Sequence, residues 1–167
     1  MRIYITGPGG AGKSTLAKQL GAHYSIPVTH LDELQWGIDM VEKEEYRALR
    51  AAIIAEENWI IEGSSPSVLK AMKDCVDVVI VLNYSPIGNI FRILKRHVKS
   101  VFFGEKRIGW SLDGVHELRL GFLFKTLRWR TRQLPRIRQN IMECALEGKV
   151  IEIDSIEGVF EKVVTRM

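Results

Sequence analysis

The sequence predicts a three-layer α/β fold, a parallel sheet of five short strands with helices on both faces. Three observations predict it. Five β-branched or aliphatic segments are spread along the 167 residues, stretches with helical apolar spacing separate them, and the segment Val76 to Leu82 ends in five consecutive apolar residues, as strands covered on both faces do.

Taken in order, Arg2 to Thr6 is β-branched and aromatic and stops at a run of glycines, which makes it the first strand, β1. From Ser14 to Tyr24, Leu16, Ala17, Leu20 and Tyr24 share one helical face, and Pro27 bars continuation past Ser25-Ile26. Val28 to Leu31 is β2 and runs into Asp32; Glu42 to Glu57 then places Tyr46, Leu49, Ile53 and Ile54 on one helical stripe. Trp59-Ile60-Ile61 is β3, ending at Glu62-Gly63, and Val76 to Leu82 is β4, ending at Asn83. Ser85-Pro86 to about Phe103 is helical, with proline in the first turn and Gly104 as a stop. Further helices are expected from about Val115 and from near Pro135. Lys149 to Asp154 is β5, and Ile156 to Arg166 a closing helix. Right-handed crossovers between such strands bring their carboxyl ends to one crevice, so Thr6-Gly7, Asp32, Glu62-Gly63, Asn83 and Asp154 are expected to line it.

Composition narrows the class. With 46% hydrophobic and 26% charged residues the chain belongs with soluble globular proteins, and its length suits a single domain, 1–167, that needs no disulfide. Cys75 and Cys144 have no metal or redox spacing and are expected to be buried thiols without chemistry. The start, Met1-Arg2-Ile3-Tyr4-Ile5-Thr6, leaves no room for a secretory leader and no apolar run is long enough to span a bilayer, so a cytoplasmic protein is expected. The net charge of +4 is unevenly placed: residues 92–138 hold 13 Lys and Arg against Glu105, Asp113 and Glu117, a local +10.

The chemistry is concentrated in Gly7-Pro8-Gly9-Gly10-Ala11-Gly12-Lys13-Ser14, a phosphate-binding loop between strand and helix, as in P-loop NTPases. A nucleoside triphosphate needs many converging donors. The backbone N–H groups of Gly7, Gly9, Gly10, Ala11 and Gly12 and the helix N-terminus supply them; Lys13 reaches the β- and γ-phosphates, and the Ser14 hydroxyl ligates Mg²⁺. Thr15 is expected to cap the helix or to meet the α-phosphate. What separates kinases from motors is the residue at the other strand ends, and β4 is followed by Asn83-Tyr84 where a motor places acids. The acids stand instead after β2 and β3. Asp32 and Glu62 are candidates to hold Mg²⁺ waters and to orient an acceptor hydroxyl, as an alternative to helix caps or solvated loop acids. Trp36 reads equally as an acceptor platform or a packing residue, His30 as a hydrogen-bonded core histidine or an acid–base group, and Arg47 as an acceptor ligand or a solvated charge.

These segments, with His30-Leu31-Asp32-Glu33-Leu34-Gln35-Trp36, Trp59-Ile60-Ile61-Glu62-Gly63-Ser64 and Arg92-Ile93-Leu94-Lys95-Arg96, resemble the adenylate-kinase-like proteins labelled DNA topology modulation proteins, over nearly the whole chain. The architecture is similar to that of nucleoside monophosphate and shikimate kinases, which implies the strand order 2-3-1-4-5. By this resemblance Asp32 matches the acceptor-side Asp of shikimate kinases and Tyr46-Arg47 their Phe-Arg pair. Glu62-Gly63 is similar to the Asp-Gly of adenylate kinases, but Ser64-Ser65-Pro66 departs from their motif and speaks against adenylate as acceptor. Arg92 and Arg96 resemble the Arg-x-x-x-Arg that opens a kinase lid.

Arg128-Trp129-Arg130-Thr131-Arg132 leaves three readings open: a lid over the triphosphate including Arg132, a solvated face, or a nucleic-acid surface with aromatics among its cations. The expected function is a small-molecule or nucleotide kinase that uses ATP and Mg²⁺, with a helical lid at about 92–138. The alternative is a nucleotide-responsive nucleic-acid-binding or regulatory protein.

Overall fold

The structure, a computed structural model, describes residues 1–31, 34, 43–65, 68–103, 120–155 and 157–167. Among these, five strands form one parallel sheet: β1 Arg2–Thr6, β2 Val28–His30, β3 Trp59–Glu62, β4 Val78–Leu82 and β5 Val150–Ile153. Their order is β2-β3-β1-β4-β5, as expected. Around them lie α1 Lys13–Tyr24, α2 Lys43–Ala55, α3 Val68–Met72, α4 Pro86–Phe103, α5 Leu120–Leu127, α6 Leu134–Glu143 and α7 Val159–Val164, with a π-helical turn at Trp129–Gln133 and a 3-10 turn at Glu147–Lys149.

Alternation along the central strands sorts the core into two halves. Ile3 and Ile5 face one side with Ile80 and Leu82, against Leu16, Ala17 and Leu20 of α1 and Val163 of α7. Tyr4 faces the other with Val79 and Val81, against Leu69 and Met72 of α3, Trp129 of the π turn, and Ile137 and Ile141 of α6. Ile3, Tyr4 and Ile5 have no exposed surface at all. Burying one such side chain contributes roughly 1.5–3 kcal/mol, so β1 is anchored from both faces and the loop that follows it leaves a rigid base.

The helices stop where local chemistry says they must. α1 ends at Ser25, in the left-handed region at φ 56°, whose N–H bonds the Gly21 carbonyl two residues before Pro27. α4 begins at Pro86 as expected, and it leaves Ile87, Phe91 and Val98 exposed on its outer side while Asn89 and Ile93 are fully buried against the loop.

Several expectations are corrected. β2 gives up Leu31, which turns helical, and β4 begins at Val78; Asp77 before it exchanges two hydrogen bonds with Arg2, its N–H donating to the Arg2 carbonyl at 2.9 Å and its carboxylate accepting from the Arg2 N–H at 2.7 Å. Leu49 is exposed, not on the core stripe of α2. Cys75 and Cys144 are free but only half-buried. The helix expected from Val115 is described from Leu120, and the closing helix from Val159; residues 115–119 and Ile156 lie outside the described residues. Among the described residues no helix is long and apolar enough to cross a membrane.

Candidate functional site

β1 delivers the chain to the sheet's carboxyl edge, and residues 7–12 turn there into α1. The turn works only with glycine at two places. Gly10 and Gly12 sit at φ 72° and 81°, the left-handed region that costs an L-residue about 1–2 kcal/mol. A Cβ on Gly10 would also stand 2.5 Å from the Asn89 carbonyl oxygen. The loop is packed from above as well, because a Cβ on Gly9 would stand 2.4 Å from the ring of Phe122 in α5.

Gly12 caps α1 without any side-chain hydrogen bond, so Thr15 is not the cap; it lies exposed on the first turn. The buried Lys13 ammonium donates to the Pro8 carbonyl across the loop at 3.0 Å. The Ser14 hydroxyl donates to Glu62 Oε1 at 3.0 Å, and His30 Nδ1 lies 2.8 Å from the same oxygen. A carboxylate offers no proton, so Nδ1 carries the hydrogen and donates. His30 is therefore the hydrogen-bonded buried histidine that its place on an apolar strand implies, at 9% exposure.

Glu62 is 4% exposed, and its second oxygen, Oε2, is buried with no hydrogen-bond partner among the described residues. Burial opposes the charge most strongly. The His30 hydrogen bond, the Lys13 and His30 charges and the Ser14 hydroxyl together outweigh it and hold the carboxyl below the ordinary carboxylate value. The group is thus an anion at neutral pH with one oxygen bonded twice and the other bare.

Neighbouring strand exits are tied to this centre. Gly63 donates its N–H to the Ile5 carbonyl and the Ser64 hydroxyl donates to the Gly7 carbonyl, both at 3.0 Å. The Tyr4 hydroxyl, from under the sheet, donates to the Ser65 carbonyl at 3.2 Å. On the other flank Arg92 of α4 donates through Nε to the Gly10 carbonyl at 2.8 Å, bonds the Asn89 side chain, and stacks its guanidinium 5.5 Å over the Tyr84 ring. Burial pushes the Tyr84 hydroxyl up to about 12, so the ring under Arg92 stays neutral.

At the exits of β4 and β5 a cleft of about 670 Å³ is lined by Asn83, Arg130, Leu134, Arg138, Glu152, Asp154 and Arg166. Arg130 donates to the Asn83 side chain at 3.2 Å and to its backbone carbonyl at 3.0 Å, while the Asn83 amide and Arg138 both donate to Glu152.

Of the residues singled out in the sequence, Lys13, Ser14, Glu62, Gly63, Ser64 and Arg92 are brought together around the loop. Arg96 is half-buried one turn beyond Arg92, whereas Arg47 on α2 and Arg132 in the π turn are exposed. Asp32 and Trp36 lie outside the described residues. Trp129 has 1% exposure and sits in the core, out of reach of any base. Sequence reading left Arg130 inside an undivided basic run and missed the His30–Glu62 contact. The signal for the second was present: one histidine on an otherwise apolar strand, at the same sheet edge as the acid.

Among the described residues no group of three or more His, Cys, Asp and Glu side chains is placed to hold a metal ion. A hydroxyl and one carboxylate oxygen, both hard donors, fit a cation such as Mg²⁺ that takes few protein ligands and keeps waters and phosphate oxygens.

The chain is similar in fold to the crystal structure of a shikimate kinase from Bacteroides thetaiotaomicron, at 20% sequence identity and a TM-score of 0.58, with 99% of this chain and 95% of that one covered. No protein-family model matches the sequence, and no curated protein matches it. The likeness to the solved structure shows the fold alone, the five-stranded parallel sheet of order β2-β3-β1-β4-β5.

Proposed function

We propose that this chain transfers the γ-phosphoryl group of ATP, in the presence of Mg²⁺, to a hydroxyl on a small acceptor. One observation carries the reading: at the mouth of the glycine loop the Ser14 hydroxyl bonds the Glu62 carboxylate, whose second oxygen is buried with no hydrogen-bond partner among the described residues. The kinase fold supports it.

In this reading the loop N–H groups of Gly7, Gly9, Gly10, Ala11 and Gly12, together with Thr15, receive the phosphates, and Lys13 exchanges the Pro8 carbonyl for the β- and γ-oxygens. Ser14 and Glu62 would hold Mg²⁺ with its waters, and the ion would supply the charge neutralisation that the departing ADP requires. The acceptor lies between Asp32, Trp36, Arg47 and the Glu62-Gly63-Ser64 exit. Its oxygen bonds to the γ-phosphorus as the bond to the bridging oxygen breaks, ADP departs, and the hydroxyl proton passes to Asp32. Arg96 and Arg132 close over the transferring group. Arg92, already bonded to Gly10, holds the loop in shape. The cleft at Asn83, Arg130 and Asp154 is within the size range of small-ligand sites and takes the base and ribose.

Incubating the protein with Mg-ATP and a panel of nucleosides, nucleotides and small alcohols should release ADP at a rate that depends on one acceptor. Lys13→Ala should lower that rate about a hundredfold or more while leaving the melting temperature near that of the wild type. Release indifferent to every acceptor, or undiminished by Lys13→Ala, would overturn the assignment.

A further inference from the structure

Beyond the residues given roles above, we infer that His30 is the positioning residue of the cation site: it sets which oxygen and which face of the Glu62 carboxylate meet the metal. The inference rests on the proposed Mg-nucleotide reading of the loop.

The argument begins with register. His30 and Glu62 are paired positions of the parallel strands β2 and β3, so their side chains leave the sheet side by side on one face. The contact is therefore built into the fold. Nδ1 lies 2.8 Å from Oε1, with both side chains almost wholly buried, so neither can turn to water instead.

A carboxylate is symmetric, and a free one presents either oxygen by a half turn about its last bond. Here Oε1 accepts from both Ser14 and His30, which selects that oxygen for the protein and leaves Oε2 bare. Leaving a buried carboxylate oxygen unsatisfied costs of order 1–3 kcal/mol, so the arrangement persists because the other oxygen is bonded twice, and it favours whatever brings Oε2 a positive partner.

The two donors are held differently. A hydroxyl that ligates a cation through its oxygen keeps its hydrogen for Oε1 but takes its position from the metal, whereas His30 Nδ1 is placed by strand register and holds Oε1 with or without a cation. Its loss frees the carboxylate to turn, which matters most when a cation needs Oε2. Partners of this kind, one bond removed from the metal, typically change affinity by about 10–100-fold when lost.

The test separates metal from nucleotide. ADP binding is measured by calorimetry on the whole chain, with Mg²⁺ and with a chelator, for wild type, His30→Leu and His30→Asn, with the melting temperature of each. Asn keeps an N–H close to the place of Nδ1, whereas Leu keeps only bulk. The expected result is that Leu raises the half-saturating Mg²⁺ concentration about tenfold or more and moves metal-free ADP affinity by less than about twofold, while Asn restores most of the Mg²⁺ dependence.

If Leu and Asn behave alike, or metal-free and metal-loaded binding weaken together, His30 is a packing residue and the inference falls. His30→Met serves as a second donor-free replacement should Leu not fold. A wild-type protein that binds ADP no better with Mg²⁺ than without would remove the metal reading itself, an outcome read from a different arm.

Discussion

Glu62 holds a negative charge almost entirely out of solvent, and its behaviour with pH follows from that. Its folded value is depressed below 4.5, so the stability it contributes is complete above about pH 4.5 and is lost as pH falls through the lower folded value. The Tm of the wild type should therefore drop on acidification below that point more steeply than the Tm of Glu62→Gln, which has no proton to take up there. A thermal-melt series from neutral pH down to roughly pH 3 checks it; equal acid limbs for the two proteins would mean that other carboxyls dominate. Arg92 gives a second residue-scale contrast. Its Nε–H bonds the Gly10 carbonyl while another nitrogen of the same guanidinium bonds the Asn89 side chain, a fork that an ammonium lacks, so Arg92→Lys should weaken nucleotide binding nearly as much as Arg92→Ala, a comparison that calorimetry settles directly.

Within the elements, backbone geometry competes with propensity in ways that a substitution series resolves. Gly10→Ala meets both a positive φ and the Asn89 carbonyl, and should cost at least about 2 kcal/mol in urea unfolding; Gly12→Ala, with open space around it, should cost about 1 kcal/mol from φ alone. Gly21 lies in α1, where alanine would ordinarily gain about 1 kcal/mol. Its Cβ would stand 2.5 Å from a methyl of Val28, so Gly21→Ala should instead destabilise, by about 1–2 kcal/mol. The same competition explains what could be read before any coordinates. β4 was legible because five consecutive apolar residues admit few other structures, and the loop because its glycines lie within eight consecutive residues between a strand and a helix. α3 was not legible, since five residues carry too little periodicity, and neither was the π turn, where Arg128 to Arg132 reads as ordinary helix. The site was legible in its parts and not in its couplings: His30 meets Glu62 across 32 residues and Arg92 meets Gly10 across 82, distances set by strand register and helix packing that no local spacing reports.

At the scale of the molecule, charge and ligand act on the whole fold. The segment 92–138 carries a net +10, and its described parts α5 and α4 touch the loop at Gly9 and Gly10. A triphosphate seated there neutralises charge that otherwise repels itself, so its affinity should fall steeply as salt is raised from roughly 0.05 to 0.5 M, with Arg96→Ala or Arg132→Ala flattening the dependence. Hydrogen exchange should slow in α4, α5 and α6 with Mg-ATP; protection by DNA and not by nucleotide would favour the nucleic-acid reading. Binding at a hundred times Kd adds about 2.7 kcal/mol, which for a chain of this length raises Tm by roughly 5–10 °C, a shift that a thermal scan detects. The central place of β1 has a further consequence, for synthesis on the ribosome. Ile3 is made before both of its strand neighbours, Ile60 and Val78, so until the chain through Leu82 has been translated the loop's own strand has an open edge on at least one side. The glycine loop is thus made before the strands that complete its base, and a nascent chain stalled before Leu82 should expose β1 to chaperones and proteases rather than to nucleotide.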